Sequence, residues 1–123
     1  MSVKLWSLPL LALALVAFAI PRLARADQQQ YVVAYVEFLP ASKEVGGKLL
    51  ERLASLGRHA KGAISVDVDQ EIQRDNFYVL ISVWETEADR LAFESSPQAM
   101  PLLVKIQQLL EAPIDIRPGT LVE

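Results

Sequence analysis

Two stretches of the chain are apolar at nearly every position. Residues 31–39 read YVVAYVEFL and are followed by Pro40, and residues 77–83 read FYVLISV and are followed by Trp84. Both are rich in β-branched and aromatic residues, which is typical of strands covered on both faces. The pattern predicts that these two strands lie side by side in the centre of a sheet.

Two other stretches alternate between apolar and polar residues, which predicts strands with one buried and one exposed face. In residues 63–73 the apolar set is Ile64, Val66, Val68 and Ile72, and the polar set is Ser65, Asp67, Asp69 and Glu71. Residues 114–117 alternate in the same way, and Pro118-Gly119 after them permits a bend. Acidic, one-sided strands suit the edges of a sheet.

Helical spacing appears three times. Residues 42–62 place Val45, Leu49, Leu53 and Leu56 on one face, and three glycines (46, 47 and 57) each weaken this helix by about 1 kcal/mol. Thr86 and Asp89 form an N-cap pattern for a short helix that Ser96-Pro97 ends. Residues 97–110 then predict another helix, whose apolar face carries Met100, Leu103, Ile106 and Leu110.

The predicted order of elements is strand, helix, strand, strand, two helices, strand. Two-sided strands inside and one-sided strands outside indicate an α+β fold of the ferredoxin-like, split βαβ type. Helices cover one sheet face in this fold, so the apolar residues on the other face predict a homodimer joined through its sheets, a dimeric α+β barrel.

Residues 1–26 are typical of a secretory signal peptide. Lys4 precedes the apolar run LWSLPLLALALVAFAI, and Ala24-Arg25-Ala26 is a small-x-small cleavage site. An uncleaved anchor is the alternative, but the run contains Pro9 and is shorter than the roughly 18 residues of a span. We expect cleavage after Ala26, a periplasmic or secreted protein, and no stable membrane anchor afterwards.

Cleavage would leave a polar leader, residues 27–30, and one domain, residues 31–123. The chain without residues 1–26 has nine basic and fifteen acidic side chains, a net charge of −6, which argues against nucleic-acid binding. It has no cysteine, so its stability must come from its core and from a partner subunit rather than from disulfides.

Residues 83–97, VWETEADRLAFESSP, and residues 111–123, EAPIDIRPGTLVE, together with Pro40 after the first strand, resemble the antibiotic biosynthesis monooxygenase (ABM) family. The resemblance covers residues 31–123 and implies a dimeric α+β barrel. Enzymes of the family oxidise quinols or phenols with O2 and use no flavin or metal. The phenol is deprotonated, the phenolate passes an electron to O2, and the radicals recombine in a closed pocket, where the protein contributes orientation and excludes water.

The resemblance assigns Trp84 to the pocket and Leu80, Ser82 and Phe93 to substrate-binding positions around it. At these three positions the family often has asparagine, glutamate and histidine, respectively. Arg90 stands where some of the enzymes have a tyrosine. Most of the family's polar groups are therefore replaced here.

Other residues are candidates from their chemistry. Tyr35 and Glu37 share one face of a central strand and could perform acid–base catalysis together with Trp84, or could lie at the barrel mouth or dimer seam. His59 is the single histidine and lies near a helix end, where the helix dipole favours a cation. The acidic row on residues 63–73 does not form a closed set of oxygens, so we expect no metal site.

Two functions are compatible with these features. The first is an exported, cofactor-independent monooxygenase acting on a quinol or another phenolic aromatic. The second is a dimeric module that binds a small aromatic molecule and has lost the chemistry. A haem-degrading relative fits less well, because the short helix carries no histidine at the expected position to hold iron.

Overall fold

The computed structural model describes residues 28–120, so the predicted signal peptide lies outside the described residues. The elements are β1 (Gln30–Glu37), α1 (Lys43–Arg58), β2 (Ala63–Gln70), β3 (Phe77–Trp84), α2 (Glu87–Glu94), α3 (Ala99–Gln108) and β4 (Asp115–Thr120), with a 3-10 turn at Pro40–Ser42. Gln30, assigned to the leader from sequence, already belongs to β1. Within residues 28–120, no helix has the length and apolar character needed to cross a membrane.

The four strands form one antiparallel sheet in the order β2-β3-β1-β4. Ala34 lies opposite Leu80 on one side and Ile116 on the other, so β1 and β3 are the central strands. This confirms both the predicted strand positions and the ferredoxin-like α+β class. The connection through α1 joins β1 to β2, which is the first half of a split βαβ unit.

The core lies between the sheet and the helices. Along β1 the buried residues alternate with more exposed ones, and the buried set is Val32, Ala34, Val36 and Phe38. From β3 the same side of the sheet receives Tyr78, Leu80, Ser82 and Trp84, since the strand pairing places them opposite the buried residues of β1. Residues 31, 33, 35 and 37 face the other side, which no helix within residues 28–120 covers.

The predicted core face of α1 is only partly wrong, because Leu53 is buried and Leu49 and Leu56 pack against the core. Val45 is 58% exposed, whereas the buried residues are Gly46, Gly47, Leu50, Leu53, Ala54 and Gly57. The Phe38 ring occupies the space that a side chain at position 46 would need, because a Cβ there would lie 2.6 Å from the ring. The glycines therefore allow the helix to approach large side chains of the sheet, which the spacing of large apolar residues could not show.

The caps of the two short helices agree with the sequence. Thr86 Oγ1 accepts a hydrogen bond from the Asp89 amide (3.1 Å), which confirms the predicted N-cap of α2. Ser96 Oγ accepts one from the Ala99 amide (3.2 Å) at the start of α3.

The predicted core face of α3 is partly wrong, because Met100 is exposed and the buried residues are Ala99, Leu102 and Ile106.

The edge strands also differ from the prediction. β2 ends at Gln70, so Ile72 lies in the following turn and is 97% exposed rather than part of the apolar face. β4 continues through Pro118 and Gly119, where a bend was expected. Proline is tolerated there because β4 is an edge strand, paired only with β1.

Tyr78 should make the stability of the protein fall at alkaline pH. Its hydroxyl donates to the Lys43 carbonyl (3.1 Å), and burial raises its pKa above the usual value of about 10. Asp75, Glu51 and Glu44 raise the pKa further and Lys43 lowers it. Above pH 10 the unfolded state therefore loses this proton first, so the free energy of unfolding falls as pH rises.

We expect the Tyr78→Phe variant to lose less stability than the wild type between about pH 9.5 and 11. The pKa of Lys43 is also raised, mainly by its hydrogen bond to Asp75 and least by Tyr78, so most of the Lys43 contribution is common to both proteins. Urea denaturation at several pH values measures this difference. Equal slopes for the two proteins would contradict the assignment to Tyr78.

Candidate functional site

A largely apolar cavity of about 80 Å³ lies between the sheet and the helices. Its walls come from all four strands and all three helices, and from Ile114 just before β4. The lining residues are Val32, Ala34, Val36, Leu50, Leu53, Val66, Leu80, Ser82, Trp84, Phe93, Glu94, Leu103, Ile106, Ile114 and Ile116. A concave apolar site with few polar groups is typical of small-molecule binding.

Trp84 and Phe93 form one end of this cavity. The two rings are stacked, with centroids 5.6 Å apart and planes 30° apart. Trp84 is only 3% exposed, since it is the last residue of β3 and α2 folds back over it directly after Thr86. A flat ligand ring could make the same stacking contact with the indole.

Two polar side chains line the cavity, Ser82 and Glu94. Both carboxylate oxygens of Glu94 accept hydrogen bonds from Arg90 Nη1, one turn earlier in α2 (3.2 Å each). The Arg90 side chain is 11% exposed, and its Nη2 lies 3.5 Å from Glu87. The buried Arg90 Nε has no hydrogen-bond partner among the described residues. Arg90 thus orients Glu94, and its largely buried side chain does not lie on the exposed side of α2.

The structure brings together the four residues that the resemblance assigned to substrate binding. Leu80, Ser82 and Trp84 are two residues apart on β3 and therefore share its helix-facing side, and Phe93 meets them from α2. Glu94 was missed by sequence analysis. Its only sequence signal is its position next to Phe93.

Tyr35 and Glu37 lie on the opposite face of the sheet from Trp84, so a single chain does not bring the three candidate catalytic residues together. Tyr35 is exposed, and the Arg117 guanidinium lies 5.0 Å from its ring centroid. Arg117 also donates to Asp115 (2.8 Å). The catalytic roles of Tyr35 and Glu37 stay a prediction.

His59 lies in an open groove beside the cavity rather than inside it. The groove runs between the end of α1 and α2 and is lined by Leu56, His59, Ala60, Lys61, Asp89, Ala92, Phe93, Ser96 and Gln98. His59 Nδ1 donates to the Ser55 carbonyl (2.9 Å), because a carbonyl oxygen can only accept. In the neutral imidazole, Nε2 is therefore the acceptor.

The acidic row of β2 shows no geometry of a metal site. Asp67 and Asp69 are exposed on the edge strand, opposite Ile81 and Val79 of β3. Across residues 28–120, no three His, Asp or Glu side chains come close enough to hold a metal ion together.

Comparison with known proteins agrees with this fold. The family model for antibiotic biosynthesis monooxygenase matches residues 30–100, more than half of the chain. The chain therefore belongs to the antibiotic biosynthesis monooxygenase family. A comparison with curated proteins found no match.

Solved structures of low sequence identity share the fold. Rv0793 from Mycobacterium tuberculosis superposes with a TM-score of 0.73 at 17% identity, over 78% of this chain and 97% of its own. PA3566 from Pseudomonas aeruginosa gives 0.72 at 15%, over 80% and 98%. A structure described as an antibiotic biosynthesis monooxygenase gives 0.72 at 15%, over 76% and 99%. These similarities support the fold alone.

Proposed function

We propose that this protein is a cofactor-independent monooxygenase that oxidises a small phenolic aromatic, such as a quinol, with O2. The observation that carries the proposal is the apolar cavity with the stacked Trp84 and Phe93 at one end and a single carboxylate, Glu94, in its wall. Membership of the family supports the reaction class. The cavity supplies an aromatic surface, a proton acceptor and largely apolar surroundings, all of which that reaction needs.

For a hydroquinone the proposed reaction consumes one O2 and gives a hydroxyquinone and one water. Glu94 accepts a phenolic proton, and the phenolate passes one electron to O2 to give a phenoxyl radical and superoxide. These combine to form a C–O bond at a ring carbon. Glu94 returns the proton to the peroxide anion, and loss of water from the resulting hydroperoxide leaves the oxidised ring. Trp84 orients the ring, and Arg90 orients the Glu94 carboxylate for proton transfer.

A second candidate function, binding without turnover, is favoured by the composition of the cavity wall. Leu80, Ser82 and Phe93 stand where the sequence resemblance implies more polar or ionisable groups. If Ser82 and Glu94 do not suffice for proton transfer, the same cavity remains a binding site for an aromatic ring.

Oxygen consumption distinguishes the two functions. With a panel of hydroquinones, the wild type should consume O2 above the rate of autoxidation. Glu94→Gln should lower kcat by about 100-fold, because general base catalysis contributes roughly 10²- to 10⁴-fold. Glu44→Gln, a matched change at an exposed position of α1, should leave kcat unchanged. Binding of hydroquinones without O2 uptake would favour the binding module instead.

The proposal includes a homodimer in which the uncovered sheet faces pack against each other. That face carries Tyr31, Val33, Tyr35, Phe77, Val79, Ile81 and Val83, all wholly or partly accessible in a single chain. Burying a large apolar side chain contributes about 1.5–3 kcal/mol, so this contiguous surface favours association.

The proposal also places the protein outside the cytoplasm, because residues 1–26 have the sequence pattern of a signal peptide. Intact-mass analysis of protein recovered from the periplasm of an expressing cell should give a chain that begins at Asp27.

A further inference from the structure

The free volume of the cavity is too small for the ring that the cavity is proposed to bind. An apolar cavity of about 150 Å³ is known to hold benzene. The cavity beside Trp84 has about 80 Å³, roughly half of that. Binding of a single-ring phenol therefore requires that one wall residue moves.

Phe93 lines both the cavity and the open groove beside it. Ile114 and Ile116 line both the cavity and a second groove beside β4, but of the three only Phe93 stacks on Trp84. The Phe93 ring separates the cavity from the open groove and is held on the cavity side by stacking on Trp84. On the other side it passes the backbone of Gly57, where even a Cβ would lie 3.5 Å from the ring. A rotation of the Phe93 side chain joins the cavity to the groove, and a ligand ring then takes the place of the Phe93 ring against Trp84.

The groove differs from the cavity in its chemistry. It carries the ionisable side chains of His59, Lys61 and Asp89, whereas the cavity wall is apolar apart from Ser82 and Glu94. Because Nδ1 of His59 is engaged by Ser55, Nε2 can accept a hydrogen bond from a hydroxyl group that remains in the groove.

We propose that the groove is the entrance to the cavity, that Phe93 is its gate, and that His59 Nε2 binds the outer hydroxyl of a ring with hydroxyls at opposite ends. This inference rests on the proposed function, in which the inner hydroxyl meets Glu94. It adds His59, which lies just beyond the end of α1 and outside the cavity, as a residue that recognises the ligand. It also predicts that the protein binds para-dihydroxy rings more tightly than rings with one hydroxyl.

Anaerobic titration of the full chain tests the recognition step. Trp6 is first replaced by Phe, so that Trp84 is the single tryptophan and reports binding through its fluorescence. Hydroquinone should bind about three- to tenfold more tightly than 4-methylphenol, which is the usual net effect of one hydrogen bond. His59→Ala should abolish this difference and leave the affinity for 4-methylphenol and toluene unchanged. Arg52→Ala, an exposed change on α1, should preserve the difference.

Stopped-flow mixing tests the gate. Phe93→Ala should raise the association rate of hydroquinone at least about fivefold, because the open state no longer has to be populated first. Phe93→Leu, which keeps more of the core volume, should give an intermediate rate, and Leu91→Ala on the exposed part of α2 should match the wild type.

The outcomes distinguish a failure of the proposed function from a failure of the proposed entrance and His59 contact. If none of the three ligands binds, the proposed function fails together with this inference. If they bind but His59→Ala weakens all three equally or none, or if Phe93→Ala and Phe93→Leu leave the association rate unchanged, the entrance is elsewhere. In that case the cavity still stands as the binding site.

Discussion

Val33→Asp is expected to convert the protein from a dimer to a monomer at micromolar concentration. Val33 lies in the middle of the uncovered sheet face, paired with Ile81 on β3 and with Arg117 on β4. In a dimer joined through this face the new carboxylate would be buried, at a cost of about 3 kcal/mol or more, which raises Kd by roughly two orders of magnitude. Sedimentation velocity measures the change directly.

Val33 is a suitable position because the monomer should still fold with the substitution. Across the strands, a carboxylate at position 33 would lie beside Arg117, whereas one introduced at Val79 would lie opposite Asp69 and would be repelled. Val45→Asp is the matched control, because Val45 is an exposed valine on α1, away from the sheet face. A wild-type protein that sediments as a folded monomer, or a Val33→Asp protein that remains a dimer, would contradict the sheet-to-sheet interface.

Gly46→Ala is expected to destabilise the fold by about 1–3 kcal/mol, as overpacking of a tight core does. The added Cβ would lie 2.6 Å from the Phe38 ring. That ring is 0% exposed and is also held edge-to-face by Tyr78 (centroids 5.6 Å apart), so it cannot move aside. For a domain of this size the melting temperature should fall by about 4–8 °C per kcal/mol.

Gly57→Ala is the matched control on the same helix. There the nearest contacts of a Cβ are 3.3 Å to Val66 and 3.5 Å to Phe93, which small shifts can absorb. Alanine also gains roughly 1 kcal/mol in helix propensity at both positions. Thermal unfolding should therefore place Gly57→Ala near the wild type and Gly46→Ala well below it. Equal melting temperatures for the two variants would refute the close-approach role of Gly46.

The arrangement of the sheet could be predicted from the sequence, whereas the docking face of α1 could be predicted only in part. The central strands are apolar on both faces and the edge strands on one, which was enough to predict their order. For α1, the periodicity of large residues selected Val45, but the volume at the contact comes from Phe38 and Tyr78 of the sheet. The glycines at 46 and 47 were the useful signal, and they were interpreted only as a cost in helix propensity.

The candidate site was predictable in part for a similar reason. Leu80, Ser82 and Trp84 share a face by strand alternation, whatever the rest of the fold does. Whether Tyr35 lies on the same sheet face as these residues depends on the register between β1 and β3. A shift of that register by one residue would move Tyr35 to the other face. Because a long crossover through α1 and β2 separates these strands, no local turn reveals that register. Glu94 lines the cavity only because α2 packs against it, and strand alternation does not determine that packing.

The position of a bound ring tests the assignment of the cavity most directly. Nuclear Overhauser contacts can be measured between hydroquinone and isotopically labelled protein under argon. We predict contacts from the ring protons to the Trp84 indole and the Leu80 methyl groups. Contacts to Val33 and Tyr35 instead would place the ligand on the opposite face of the sheet and would contradict the assignment of the cavity as the functional site.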